Sequence, residues 1–140
     1  MILNQGRKMI LNPVGSFSFK KYDGTSAVYS ISSLWNHIVV KVGTGNTPPT
    51  ADDFNLEIPS NLTVNGTTEN VCGENNPVNK YSRMATVATT YTNATEDSIT
   101  ITEIGMLGGN AVYITRELLE TPVTIKPGES YTFTAVIDIK

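Results

Sequence analysis

Between Ser98 and Glu120 the chain reads SITITEIGMLGGNAVYITRELLE, and this stretch restricts the fold more than any other. Ile99 and Ile101 alternate with Thr100 and Thr102, the period-2 pattern of a half-buried strand. Gly108-Gly109-Asn110 then breaks the run with residues that reach φ > 0 at little cost. Ala111 to Thr115 resumes as an apolar, β-branched strand. The stretch predicts the core hairpin of an all-β domain.

The rest of the chain follows suit. Val14–Lys20 places Phe17 and Phe19 on one face and Ser16 and Ser18 on the other, and Ala27–Ile31 reads as its hairpin partner across Tyr22-Asp23-Gly24-Thr25. Leu34–Val42 reads as one longer strand with Leu34, Asn36, Ile38, Val40 and Val42 on one face. Trp35, His37, Val39 and Lys41 take the other. In Thr50-Ala51-Asp52-Asp53 the spacing resembles a capping box, with the Asp53 carboxylate reaching back to the N-cap amide, and predicts a single helical turn through Phe54 and Leu56.

Pro59–Asn79 reads as a long loop with one short strand around Leu62–Val64, and so as a surface for a partner. Alternation returns over Lys80–Tyr91, a turn follows at Asn93–Asp97, and Thr121–Ile125 leads to a second turn at Lys126–Glu129. The last strand predicts Tyr131, Phe133, Ala135, Ile137 and Ile139 inside, with Thr132, Thr134, Asp138 and Lys140 mostly outside. About eight strands separated by turn signals predict an antiparallel β-sandwich, jelly-roll or Ig-like, with one short helical turn.

At 140 residues the length predicts one domain, drawn here as residues 14–140. Residues 1–13 hold MILN twice, at Met1–Asn4 and Met9–Asn12, and read as an N-terminal arm, either flexible or paired with a neighbouring subunit. Charged residues make up only 16% against a usual value of about 25%. The net charge is -3 and the basic residues are scattered, so no stripe is available for nucleic acid. Met1-Ile2-Leu3 is too short for a signal peptide or a membrane span, which predicts synthesis in a cytoplasm and no membrane partner. The sequons at Asn61, Asn65 and Asn93 read as chance in a chain rich in Asn and Thr.

Catalytic patterns are missing from the sequence. The single cysteine, Cys72, has no base placed beside it by any motif, and the single histidine, His37, has no second histidine with which to share a metal. Gly43-Thr44-Gly45 runs into two prolines, so the phosphate-cradle reading fails. A glycosidase needs two carboxylates about 5–10 Å apart in a cleft; Asp52, Asp53, Glu57, Glu69 and Glu74 are carried by no motif. The expectation is a non-enzymatic protein with no cofactor and no metal.

Three segments carry a resemblance. LWNHIVVKVGTGNTPPTADDFNLEIPS is similar to the hydrophobic strand followed by GxGxxxPxxxDxxL in small structural proteins of tailed bacteriophages. ITITEIGMLGGNAVYITREL resembles the accompanying ITEIGLF…G…L..R segment, and VTIKPGESYTFTAVIDIK resembles their closing strand pair. Together they span about two-thirds of the chain, in the family's order. Gly43, Gly45, Asp53, Leu56, Glu103, Gly105 and Arg116 match the recurring positions.

The resemblance implies a β-sandwich virion module that works as a tail, collar or fibre adapter without catalysis. Its partners would be other virion proteins and copies of itself. Decoration of the capsid is the alternative placement. Glu103 and Arg116 then read as a cross-strand ion pair holding the hairpin, one that contributes little at an exposed site. A reading of another class is a carbohydrate-binding module for host adhesion, with Tyr22, Tyr29, Trp35, Tyr81 and Tyr91 as aromatic platforms for a host glycan.

Overall fold

A computed structural model of the chain describes residues 1–12, 14–72 and 83–139. Glu74, Pro77, Tyr81 and the first part of the alternation expected from Lys80 lie outside these residues, as do the side chains of Glu69, Cys72 and Ile139. The chain is all-β, with antiparallel pairing throughout. Strands β1 (Ser16–Lys20) and β2 (Ser26–Ser30) form a small hairpin. A three-stranded sheet orders β3 (Ile38–Gly43), β6 (Ile99–Gly108) and β7 (Val112–Ile125) as β3-β6-β7. A second orders β4 (Thr63–Cys72), β5 (Arg83–Thr92) and β8 (Ser130–Ile139) as β4-β5-β8.

One hydrophobic core takes side chains from both sheets: Val40, Ile101 and Ile114 from the first, Val87, Phe133 and Ile137 from the second. Polar groups stitch the same contact. Val40 lies on an edge strand, and its free backbone groups are met from the other sheet. Its N–H donates to Thr89 Oγ1 at 3.0 Å, and the Tyr91 hydroxyl donates to its carbonyl at 2.5 Å. Burial of those groups without partners would cost about 1–3 kcal/mol each.

The central hairpin forms where its alternation predicts, with Gly109 and Asn110 both at positive φ in the turn. The β1–β2 hairpin and β8 also form as expected, although Tyr131 is 45% exposed. Asn93, buried in the turn before β6, donates from Nδ2 to the carbonyls of Asp97 and Ile125.

Four expectations are corrected. The strand predicted over Leu34–Val42 starts only at Ile38, because residues before it form a short helix, α2 (Ile31–Trp35), capped by Ser30 Oγ accepting from the Ser33 N–H at 3.2 Å. His37 is exposed in the link, and its carbonyl accepts from Gly109 N–H. No helix forms through Phe54 and Leu56; Asp53 does reach back to the Thr50 N–H, but the chain makes only a turn there. Much of the expected Pro59–Asn79 loop is the ten-residue strand β4.

The fourth concerns the N-terminal segment, which is not a free arm but packs on its own chain. It forms helix α1 (Asn4–Leu11) and packs on β7 of its own chain. Ile2 bridges to Thr115, the Leu3 N–H donates to the Ile114 carbonyl, and Leu3 and Met9 are fully buried. These contacts cover the outer edge of the first half of β7.

Candidate functional site

Residues 44–60 leave β3, cross one end of the sheet β3-β6-β7 and return along it like a strap. Apolar packing alone would not fix this segment, which carries two prolines and many polar residues. A buried carboxylate does. Glu103, on β6, is 0% exposed, and its Oε1 accepts from the backbone N–H groups of Gly45 (3.3 Å) and Ile58 (2.8 Å). Its Oε2 accepts from Glu57 N–H (3.1 Å) and from Arg116 Nε (3.0 Å), with Arg116 Nη2 at ion-pair distance (2.9 Å).

Arg116, on β7 and 3% exposed, spends its remaining donors on the strap as well. Nη2 donates to the Thr47 carbonyl and Nη1 to Asp53 Oδ2, both at 2.8 Å. Asp53 in turn accepts from the Thr50 backbone N–H and hydroxyl. Burial pushes the Asp53 carboxyl up, but the hydrogen bonds from Thr50 and the Arg116 charge outweigh it and hold it below the ordinary aspartate value. Desolvation opposes the Arg116 charge, and Glu103 and Asp53 more than restore it, so its pKa rises. Glu57 is also held low, by hydrogen bonds from Thr47 and Asn46.

Glu103 and Arg116 form the expected ion pair between neighbouring strands, in a buried site and not an exposed one. The pair is sealed, and Arg116 stands opposite Gly105 in the register rather than opposite Glu103, which faces Leu118. A β-bulge between Ile101 and Glu103 accompanies the offset.

Two of the three glycines lie against the same carboxylate. A Cβ on Gly43 would lie 2.5 Å from Glu103 Oε1, and one on Gly45 2.8 Å from it. A Cβ on Gly105 would lie 2.7 Å from the Thr115 carbonyl oxygen and press on Leu56 and Tyr113. Thus Gly43, Gly45, Asp53, Leu56, Glu103, Gly105 and Arg116, scattered over 74 positions of sequence (43 to 116), meet in one small region.

No family model, curated protein or solved structure matches this chain. The functional argument therefore rests on the geometry and on the sequence.

Beside the strap lies an open groove of about 420 Å³. Strap residues Asn55, Leu56 and Pro59 form one wall; Lys41 of β3, Leu107 of β6 and Tyr113 of β7 form the floor. Tyr22, from the β1–β2 turn, and Asn110, from the β6–β7 turn, close one end, and Tyr91 reaches it past the edge of β3. Leu56, Leu107 and Tyr113 pack with Leu3 and Val39 in a second apolar cluster on this face. Burial pushes the Tyr91 phenol up to about 12 and lifts that of Tyr113 well above the ordinary tyrosine value, with Tyr91 and Glu103 adding to the latter.

Of the aromatic platform expected from Tyr22, Tyr29, Trp35, Tyr81 and Tyr91, Tyr81 lies outside the described residues and the other four do not all come together. Tyr22 and Tyr91 share the groove, whereas Tyr29 and Trp35 pack against the main core and Trp35 Nε1 donates to the Met9 carbonyl. Tyr113, Lys41 and Asn55 were not singled out by sequence, since nothing in the alternation marks which exposed-face residues border a groove. Asp52 accepts from Asn4 Nδ2 at 2.7 Å, and Asp53 and Glu57 are held within the strap. Among the described residues no group of three His, Cys, Asp or Glu side chains is placed to hold a metal.

Proposed function

We propose that this chain is a non-enzymatic structural protein of a tailed-phage virion, an adapter or attachment module of the tail, collar or fibre that assembles through strand edges and loops. Placement on the capsid surface would use the same contacts. The observation that carries the reading is an asymmetry between the two sheets. In β3-β6-β7 the chain itself covers part of each outer edge: residues 1–3 lie along the first half of β7, and Ile58–Ser60 lie along the end of β3. In β4-β5-β8 the outer edges of β4 and β8 carry no strand among the described residues.

An uncovered edge is a template for strand addition by another chain. β8 also exposes Tyr131 and Val136 (61%) beside that edge. The ordered resemblance of three segments supplies the virion context, and the buried clamp suits a part that must hold its shape under load rather than turn over a substrate.

Light scattering on the full chain tests the reading. A defined oligomer that dissociates on Val136→Lys supports it. A monomer at every concentration, unchanged on mixing with disrupted tailed-phage particles, would overturn it.

A further inference from the structure

The groove beside the strap has a chemistry that the assembly reading does not use. Tyr113 is 4% exposed, and its hydroxyl has no hydrogen-bond partner among the described residues. Every sealed side-chain polar atom among those residues does have a partner. The Tyr113 hydroxyl is therefore not sealed in the core, and Tyr113 lines the groove, where water or a bound polar group can satisfy it. As a neutral phenol at physiological pH it both donates and accepts. Asn55 and Asn110 bring amides, and Ser60 a hydroxyl, to the same rim.

The charge of the lining is one-sided. Among the described residues Lys41 is the only charged one that lines it, none that line it is acidic, and Lys41 makes no ion pair. Leu56, Pro59 and the ring of Tyr22 add apolar surface between these polar groups. The volume falls in the range of small-molecule sites, about 300–1,000 Å³.

An extended peptide is a poor match. The part of β3 that borders the groove has already paired with the strap, through Thr44 N–H to the Ile58 carbonyl and Ser60 N–H to the Val42 carbonyl. No strand edge remains there for a peptide backbone to join. A ring that presents hydroxyls, one apolar face and one carboxylate fits each group: the carboxylate to Lys41, the hydroxyls to Tyr113 and the amides, the C–H face to the apolar wall.

We propose that the groove binds a carboxylate-bearing sugar, the acidic residue of a surface glycan. This site does not depend on strand addition at β8, since no described residue of β8 lines the groove.

Amide-resolved NMR titration of the ¹⁵N-labelled chain tests it, with sodium glucuronate, N-acetylneuraminate, glucose, acetate and an acidic tripeptide as separate probes. The expected result is saturable shifts at Lys41, Asn55 and Tyr113 with at least one acidic sugar, and binding of glucose at least tenfold weaker. Tyr113→Phe should weaken the acidic sugar about fivefold to tenfold, and Lys41→Gln should abolish its advantage over glucose. Acetate or the tripeptide binding as well as the sugars would overturn the proposal, and so would no saturable shift with either acidic sugar. Unchanged affinity in both variants would place the ligand elsewhere and overturn it too.

Discussion

Arg116 places both Nε and Nη2 on one oxygen, Oε2 of Glu103, at 3.0 and 2.9 Å. The two residues sit on neighbouring strands but not opposite each other. Their contact is diagonal, next to a bulge, in a region where the two side chains are almost wholly removed from water. A pair desolvated in this way contributes little by its attraction alone, because the loss of hydration offsets it. What makes it tolerable here is that three backbone N–H groups and one backbone carbonyl of the strap complete its hydrogen bonds.

Removing one partner should therefore cost far more than removing an exposed pair. Arg116→Met leaves Glu103 charged and buried without its cation, and is expected to lower stability by about 3–5 kcal/mol in urea unfolding. The Glu103→Ala, Arg116→Met double variant should cost clearly less than the sum of the two single variants. Additive losses would mean that the two side chains do not act together.

Gly45→Ala brings a methyl group to within 2.8 Å of Glu103 Oε1 and 2.5 Å of Glu57 Cβ. Neither neighbour is free to retreat, since both are hydrogen-bonded within the strap. The expected cost is about 1–3 kcal/mol, with faster amide hydrogen exchange over residues 44–60 and little change in β8.

Acid should loosen the strap in a definite window. The Asp53 carboxyl is held below its ordinary value in the folded chain, so its contribution is complete above the unfolded value of about 3.9. It is lost as pH falls through the lowered folded value. Asp53→Asn should remove that part of the acid dependence: wild type and variant should differ in urea midpoint at pH 6, and the gap should narrow as pH falls below the unfolded value of about 3.9. A constant gap across that range would contradict the assignment.

Tyr91→Phe removes the hydroxyl that donates to the Val40 carbonyl between the sheets. The ring stays packed, edge-on to Phe133 with centroids 6.2 Å apart. The loss should be about 1–3 kcal/mol, the cost of an orphaned buried carbonyl. A variant as stable as wild type would show that water reaches Val40.

Strands were legible wherever one face is wet and the other dry, as in Ser16–Lys20 and the Ile99–Thr115 hairpin. β3 was misread at its start because Leu34 and Trp35 continue its apolar character, and only the Ser30-x-x-Ser33 spacing hints at the helix that interrupts it. Helix α1 was hidden by the MILN repeat, although Leu3, Gly6 and Met9, all buried, recur at a helical spacing of three. β4 was taken for a loop because its Asn, Gly and Thr residues suit turns, yet threonine also favours strands. The members of the clamp could be picked out from the sequence. Their burial was not legible, because exposure of an ion pair depends on a bulge and a strap that only the tertiary structure brings together.

The most direct test of the central claim is amide hydrogen exchange of the full chain, compared between its assembled form and the Val136→Lys variant. The account predicts that assembly slows exchange along β8, residues 130–137, while the first half of β7, already covered by residues 1–3, exchanges alike in both. Protection gained along β7, or none gained along β8, would contradict it.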